Sequence, residues 1–244
     1  MSRNRNRVSS ARLALCPLED RLTPAMIGSL DPTFDLDGIV TPAVPVGTQL
    51  YDVTPTPDGG LVAVGTNAMT NAMVAVKLTN SGQLDPSFGS GGIVTLPAPG
   101  TGMTAIAYSV AVLPDGSLLL GGAASTTPAN ILDFAFARVS STGVANPIQT
   151  IDVTGTGGAD FAHQIAVNPS TGDVLLVGTA NNAGTMFDFA VVRLDSNLMV
   201  LGAPAKVDLS AGGNDLAFGV AFDSNGRVFV SGTAGISTPN PDYA

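Results

Sequence analysis

The chain has 244 residues, 45% of them hydrophobic and 12% charged, which is enough apolar material for a packed core and excludes global disorder. A formal net charge of −9 makes attraction to phosphate backbones unfavourable and excludes nucleic acid as an expected partner, and no apolar run reaches the roughly 18 residues a transmembrane helix needs. Twenty-nine Gly, 17 Pro and no Trp, with the apolar content mostly Ala, Val, Leu and Ile, suit many short strands joined by tight turns, so long helices are not expected.

The N-terminal segment has a different charge from the rest. Arg3, Arg5, Arg7, Arg12 and Arg21 supply five of the ten basic residues, whereas Lys77, Arg138, Arg193, Lys206 and Arg227 are set against seventeen Asp further on. Residues 1–26 are therefore expected to form a basic, disordered targeting leader. Cys16, the single cysteine, lies in it, so the body has no disulfide framework and no Cys-based zinc cluster. Leu15 is too large for lipoprotein processing at Cys16, and the stretch Arg3 to Arg12 is polar rather than apolar. The run Leu18-Glu-Asp-Arg-Leu22 resembles the leader at the start of many large bacterial surface and exported proteins. That resemblance implies export to an extracellular or cell-surface location.

From residue 27 to 244 the chain repeats. Leu30-Asp-Pro-Thr-Phe-Asp-Leu-Asp-Gly-Ile-Val-Thr41 returns 54 residues later as Leu84-Asp-Pro-Ser-Phe-Gly-Ser-Gly-Gly-Ile-Val-Thr95. Gly-ended apolar runs follow polar turns at 57–65, 114–122, 169–178 and 224–232, so that Gly65, Gly122, Gly178 and Gly232 step by 57, 56 and 54. Each copy reads as a hairpin: a strand such as Ser109–Val112, an Asp-Gly turn that tolerates positive φ, and a strand such as Leu118–Leu120. Third strands at Met73–Leu78, Phe134–Val139 and Phe189–Leu194 alternate with period two, and a fourth follows a loop. Four short antiparallel strands in about 55 residues is the dimension of one propeller blade. The expected fold is all-β: an incomplete β-propeller-like array of about four four-stranded blades, the last truncated where Asp242-Tyr-Ala244 matches Asp133-Phe-Ala135 and Asp188-Phe-Ala190. The combination of Leu-Asp-Pro-Ser-Phe-Gly, Pro-Asp-Gly, the Gly-ended run and Asp-Phe-Ala-Phe-Ala-Arg resembles the delta-60 repeat family of large bacterial exported proteins over residues 27–244. The resemblance implies propeller repeats and export, and carries over no catalytic residue.

His163, the only histidine, occupies the repeat position of Tyr51, Tyr108 and Phe218, at steps of 57, 55 and 55, and reads as a ring packed at a fixed place in each blade. Lys77, Arg138 and Arg193 also share one position; a repeated surface or inter-blade ion pair is preferred there to an anion-binding cluster. Asp31, Asp35 and Asp37 before Gly38 resemble part of a calcium loop but lack its distal Glu, so turn chemistry is preferred. Gly89–Gly92 and Thr154–Gly158 read as loops, since neither is followed by Lys-Ser/Thr or a helical pattern. No Gly-x-Ser-x-Gly or His-Glu-x-x-His motif is present. No residue is therefore assigned a catalytic, cofactor-binding or metal role, and no cofactor is expected. The chain is expected not to be an enzyme but a non-catalytic repeat or scaffold module of an exported or cell-surface protein, with an unknown protein or polymer partner and self-association through an open blade edge. The alternatives are a propeller enzyme with a central-channel site and a calcium-stabilised adhesion module.

Overall fold

The computed structural model describes residues 30–243 apart from 128, 130, 156, 182–185, 211 and 236–241. The expected leader, with Cys16, lies outside the described residues. Among the described residues, those from 40 onward form one compact unit and 30–39 belong to another.

Four antiparallel sheets follow one another along the chain. The first contains β1 (Thr48–Pro55), β2 (Leu61–Asn67), β3 (Ala72–Leu78) and β4 (Ile93–Leu96). The second contains β5 (Ala105–Val112), β6 (Leu118–Ser125), β7 (Leu132–Val139) and β8 (Gln149–Ile151). The third contains β9 (Asp160–Val167), β10 (Val174–Asn181), β11 (Phe187–Leu194) and β12 (Ala205–Val207). The fourth, three-stranded among the described residues, contains β13 (Leu216–Phe222), β14 (Val228–Ala234) and β15 (Asp242–Tyr243). In each sheet spatial order equals chain order, so each is a meander of the kind expected for a blade.

The hairpin turns repeat, the third with one extra residue: Gly59 N, Gly116 N and Gly226 N each donate to the carbonyl three residues back, whereas Gly172 N donates to Asn168 O, four back. Gly59, Gly116, Gly172 and Gly226 hold positive φ of 83°, 79°, 75° and 75° where the first strand turns into the second. The loop preceding the fourth strand repeats as well: Phe34 N donates to Asp31 O and Gly38 N to Phe34 O, as Phe88 N does to Asp85 O and Gly92 N to Phe88 O.

Between the sheets lies the core. Val62, Val64, Met73 and Ala75 meet Ala105, Ala107, Val110, Leu118 and Leu120; Leu119, Phe134 and Phe136 meet Ala162, Ile165, Val174 and Leu176; Leu175, Val177 and Phe189 meet Ala217 and, at its margin, Val220. Alanine at three equivalent places, Ala107, Ala162 and Ala217, lets each first strand lie close against the preceding sheet. First strands of successive sheets touch one another, whereas β12 at the rim is exposed along its length. The sheets therefore fan about an axis with their first strands innermost.

Candidate functional site

One residue in every first strand is left out of the ladder. Pairing with the second strand passes from Leu50 to Asp52, from Ala107 to Ser109, from Ala162 to Gln164 and from Ala217 to Gly219, skipping Tyr51, Tyr108, His163 and Phe218. The same bulge thus recurs in all four sheets, and a bulge re-aims the side chain it carries. Opposite each stands the closing glycine of the second strand. A Cβ on Gly65, Gly122, Gly178 or Gly232 would lie 1.8, 1.9, 1.8 or 2.0 Å from the carbonyl oxygen of Gln49, Ile106, Phe161 or Leu216. These glycines are required by the close approach of the bulged backbone, not by a left-handed φ.

The four bulges build a row of rings on the innermost strands. Tyr51, Tyr108, His163 and Phe218 follow one another at centroid spacings of 5.6, 5.7 and 5.6 Å, each ring tilted by about 50° to the next. Phe161 stacks on His163 at 6.3 Å and extends the row to Phe187 at 6.1 Å. The reading of His163 as one member of a repeated ring position is borne out. The row is not fully enclosed: Tyr51 is 48% and Phe218 50% exposed.

Polar groups flank the rings. Tyr51 Oη donates to Gln49 Oε1 at 2.8 Å, and His163 Nε2 lies 3.2 Å from Thr179 Oγ1. Burial holds the His163 pKa below the ordinary imidazole value, and burial together with the neighbouring Tyr51 raises that of Tyr108. Both therefore favour their neutral forms. Behind the row, Asp52 Oδ2 accepts from Val110 N at 2.9 Å and Ser109 Oγ from Ile165 N at 3.2 Å, bonds that tie one sheet to the next.

Two acidic clusters escaped the sequence reading. Carboxylate oxygens of Asp133, Asp152 and Asp160 lie within 4.8 Å of one another, as do those of Asp188, Asp208 and Asp215. The members are related by steps of 55, 56 and 55, so the recurrence was visible in the sequence, but the three residues come from separate strands and a loop. Each cluster offers three oxygen ligands of the kind a divalent cation takes. In the second, Lys206 Nζ stands 2.6 Å from Asp188 Oδ2 and supplies a cation of its own. Asp215 is fully enclosed, yet its pKa is lowered: burial acts upward and is outweighed by hydrogen bonds from Ser210, Gly235 and Leu209.

The first cluster has the opposite balance. Burial pushes Asp160 up to about 6, against the backbone N–H groups of Val153 and Asn181 and with help from the charges of Asp152 and Asp133. Asp133 is raised by burial and then by the Asp152 charge. Asp152 itself is exposed. A carboxyl that holds its proton more tightly than usual, beside a second, exposed carboxyl group, can give and take protons.

The remaining sequence candidates are structural. Lys77 bonds Asp58 at 2.6 Å and Asp85 at 3.0 Å, Arg138 bonds Asp115, and Arg193 bonds Asp173 at 2.5 Å. The pairs repeat as expected but run within one sheet to the hairpin turn, which corrects the inter-blade option; the turn brings its Asp beside the third strand. Asp31 Oδ1 accepts from Thr33 and Asp37 Oδ1 from Ile39 N, local turn bonds that fit the preferred reading of that loop. Gly89 N donates to Thr142 O, and Asp152 Oδ1 accepts from Thr154 N and Gly155 N, so both glycine-rich stretches are engaged as loops.

No family model and no curated protein matches the chain. Solved structures do match. The α-L-arabinofuranosidase from Lactobacillus brevis is 10% identical, with 82% of this chain and 67% of that chain covered and a TM-score of 0.50. An α-L-arabinofuranosidase from Fusarium graminearum, solved as a mutant in complex with an iminosugar inhibitor, is 12% identical, with 81% and 60% covered and a TM-score of 0.48. A bifunctional GH43-CE protein of Bacteroides eggerthii is 14% identical, with 84% and 25% covered and a TM-score of 0.45. This chain thus spans between a quarter and two thirds of the length of the structures it matches.

The likeness is one of fold, and it agrees with the expected propeller architecture. It also corrects the expectation that the chain is not an enzyme. That expectation rested on missing motifs, and the scaffold is one on which the Lactobacillus brevis protein is an arabinofuranosidase. Glycoside hydrolysis needs two carboxyl groups and no nucleophile elbow or zinc helix.

Proposed function

We propose that the chain acts on polysaccharide as a propeller enzyme, with the sugar chain held on the ring row of the first strands. The observation that carries this reading is the row itself: neighbouring aromatic faces, half-exposed at Tyr51 and Phe218 and flanked by hydroxyl and amide groups. Sugar rings have apolar faces and polar edges, the combination such a surface accommodates. Asp133, raised by burial and by a neighbouring charge, takes the proton-donor role, and exposed Asp152 is the second carboxyl group of the pair. Asp160, which lies with both, opens β9 three residues before His163, roughly 10 Å along the strand. The fold shared with an arabinofuranosidase supports arabinose-containing polymers as the first substrates to test.

The test is release of reducing sugar from arabinan and arabinoxylan. Wild-type protein is expected to release sugar; Asp133→Asn and Asp152→Asn are each expected to lower kcat by about 10²-fold or more with folding intact. Tyr108→Ala is expected to raise KM with a smaller effect on kcat. Wild-type protein that neither binds nor hydrolyses any polysaccharide contradicts the reading. The Leu18–Leu22 leader and the resemblance to delta-60 repeats support an exported protein, for which protease shaving of intact cells is the check. Among the described residues no helix is long and apolar enough to cross a membrane.

A further inference from the structure

The basic residue of the third strand has a different setting in each sheet. Lys77, with a side chain only 8% exposed, holds two carboxylates, Asp58 in the hairpin turn and Asp85 in the loop before the fourth strand. Asp85 N donates to Lys77 O at 2.9 Å, and the same backbone bond joins Asn146 N to Arg138 O and Leu201 N to Arg193 O, each at 2.8 Å. Asn146 and Leu201 therefore hold the place of Asp85 in the second and third sheets. The turn carboxylate is kept, as Asp115 and Asp173. The loop carboxylate is replaced by an amide in one sheet and by an apolar group in the other.

Arg138 consequently uses only one edge of its guanidinium. Nε donates to Ser117 Oγ at 2.9 Å and Nη2 to Asp115 Oδ2, while Asp115 Oδ1 accepts from Ser117 N and Oγ. The other N–H groups, both on Nη1 and one on Nη2, have no partner among the described residues. That outer edge is a fork that a carboxylate fits with two parallel bonds. The side chain is 34% exposed and lines an open cleft of about 830 Å³ between the second and third sheets, with Ser170, Thr171, Ser196 and Asn197. An adjoining groove shares Arg138 and Asn197 and adds Asn146. Asp115 is the one acidic residue among the described residues lining the two.

We propose that this cleft binds a sugar acid, a uronate, whose carboxylate takes the outer edge of Arg138 while its hydroxyls meet the surrounding amides and hydroxyl groups. The first sheet supplies the reason for a carboxylate: there the equivalent basic residue holds one from Asp85 in addition to the one from the turn. The amides of Asn146 and Asn197 and the hydroxyls of Ser170, Thr171 and Ser196 both donate and accept, as sugar hydroxyls do, and Pro114 and Pro169 offer apolar surface to a sugar face. Arg138 is the one cation in this lining, which suits a ligand with isolated carboxylates better than an acidic peptide. Asp115 already balances its charge, so recognition rests on directed hydrogen bonds more than on net charge. Asn146 is the residue that makes the site: an acid there would take the fork itself, as Asp85 takes Lys77.

Isothermal titration of the whole chain with trigalacturonate and with galactotriose, its neutral counterpart, tests the proposal. Trigalacturonate is expected to bind saturably and at least about 10-fold more tightly than galactotriose, by a margin that narrows as salt is added. Asn146→Asp, which rebuilds the arrangement around Lys77, is expected to remove the preference; Arg138→Lys, which keeps a charge beside Asp115 but not the fork, to reduce it. The arginines near the N-terminus are common to all variants, so the comparison between variants reports on Arg138. If Arg138→Lys fails to fold, Asn146→Asp, at an exposed loop position, carries the comparison. Equal affinity for the two sugars, a preference undiminished in Asn146→Asp, or tighter binding of pentaglutamate than of trigalacturonate overturns the proposal. The outcome is separable from the hydrolysis reading: the ring row offers neutral rings, with nothing to favour a uronate over a neutral sugar. Equal binding of both sugars would sink this site and leave the row untouched, whereas a preference removed by Asn146→Asp would stand even without hydrolysis.

Discussion

At the ring position geometry is constant and chemistry is not. Tyr51, Tyr108, His163 and Phe218 are all skipped by the ladder, but only His163 can carry a positive charge. Its folded pKa is depressed by burial, so its contribution to stability is present above the unfolded value and is lost as pH falls through the folded one. His163→Phe, which installs the residue found at 218, is therefore expected to gain in Tm relative to wild type as pH is lowered from about 7.5 to 5. A Tm difference that is flat across that range contradicts a buried neutral imidazole. Asp160 runs the other way. Its folded pKa, about 6, is above the ordinary carboxylate value of 3.8, so the wild type is most favoured below the lower value and loses stability as pH rises through the higher one. The Tm of Asp160→Asn relative to wild type is expected to grow more positive between about pH 4 and 7, read by thermal scans in matched buffers.

At the scale of the element, the closing glycine shows what the sequence gives away and what it hides. Its spacing located four hairpins correctly, but nothing in a linear pattern says that the glycine faces a bulged backbone. The reason lies in the partner strand, where Ile106 O would be 1.9 Å from a Cβ on Gly122. Gly122→Ala is expected to cost several kcal/mol, at the large end for a single substitution, because backbone on both strands must move. Denaturant unfolding measures it, and a loss under about 1 kcal/mol would show that the bulge is not held by that glycine. Strand extents were legible wherever period two met a Gly or Asp-Gly boundary, as at β3 and β7. The acidic clusters were not, because Asp133, Asp152 and Asp160 become neighbours only when the start of a third strand, a loop and the next first strand come together. Lys77 and Arg138 were legible as a repeat, but their partners in the hairpin turn were not.

At the scale of the molecule, composition and a repeat near 55 residues were sufficient for an all-β fan of meander sheets, because each blade is a local structure that buries its faces only against its neighbours. The spatial groupings of the acidic residues were not legible, because motif searches look for residues close in sequence and a fan of sheets brings together strands that are far apart. In the proposed function the ring row is the surface that holds sugar. The chain has no Trp and three Tyr, two of them, Tyr51 and Tyr108, in the row, so tyrosine emission reports on that surface directly. Titration of the wild-type protein with a series of oligosaccharides, followed by tyrosine fluorescence, is the most direct measurement. A saturable change that is lost in Tyr108→Ala is the result expected from a row that holds the sugar chain; emission unchanged by every oligosaccharide at millimolar concentration would contradict it.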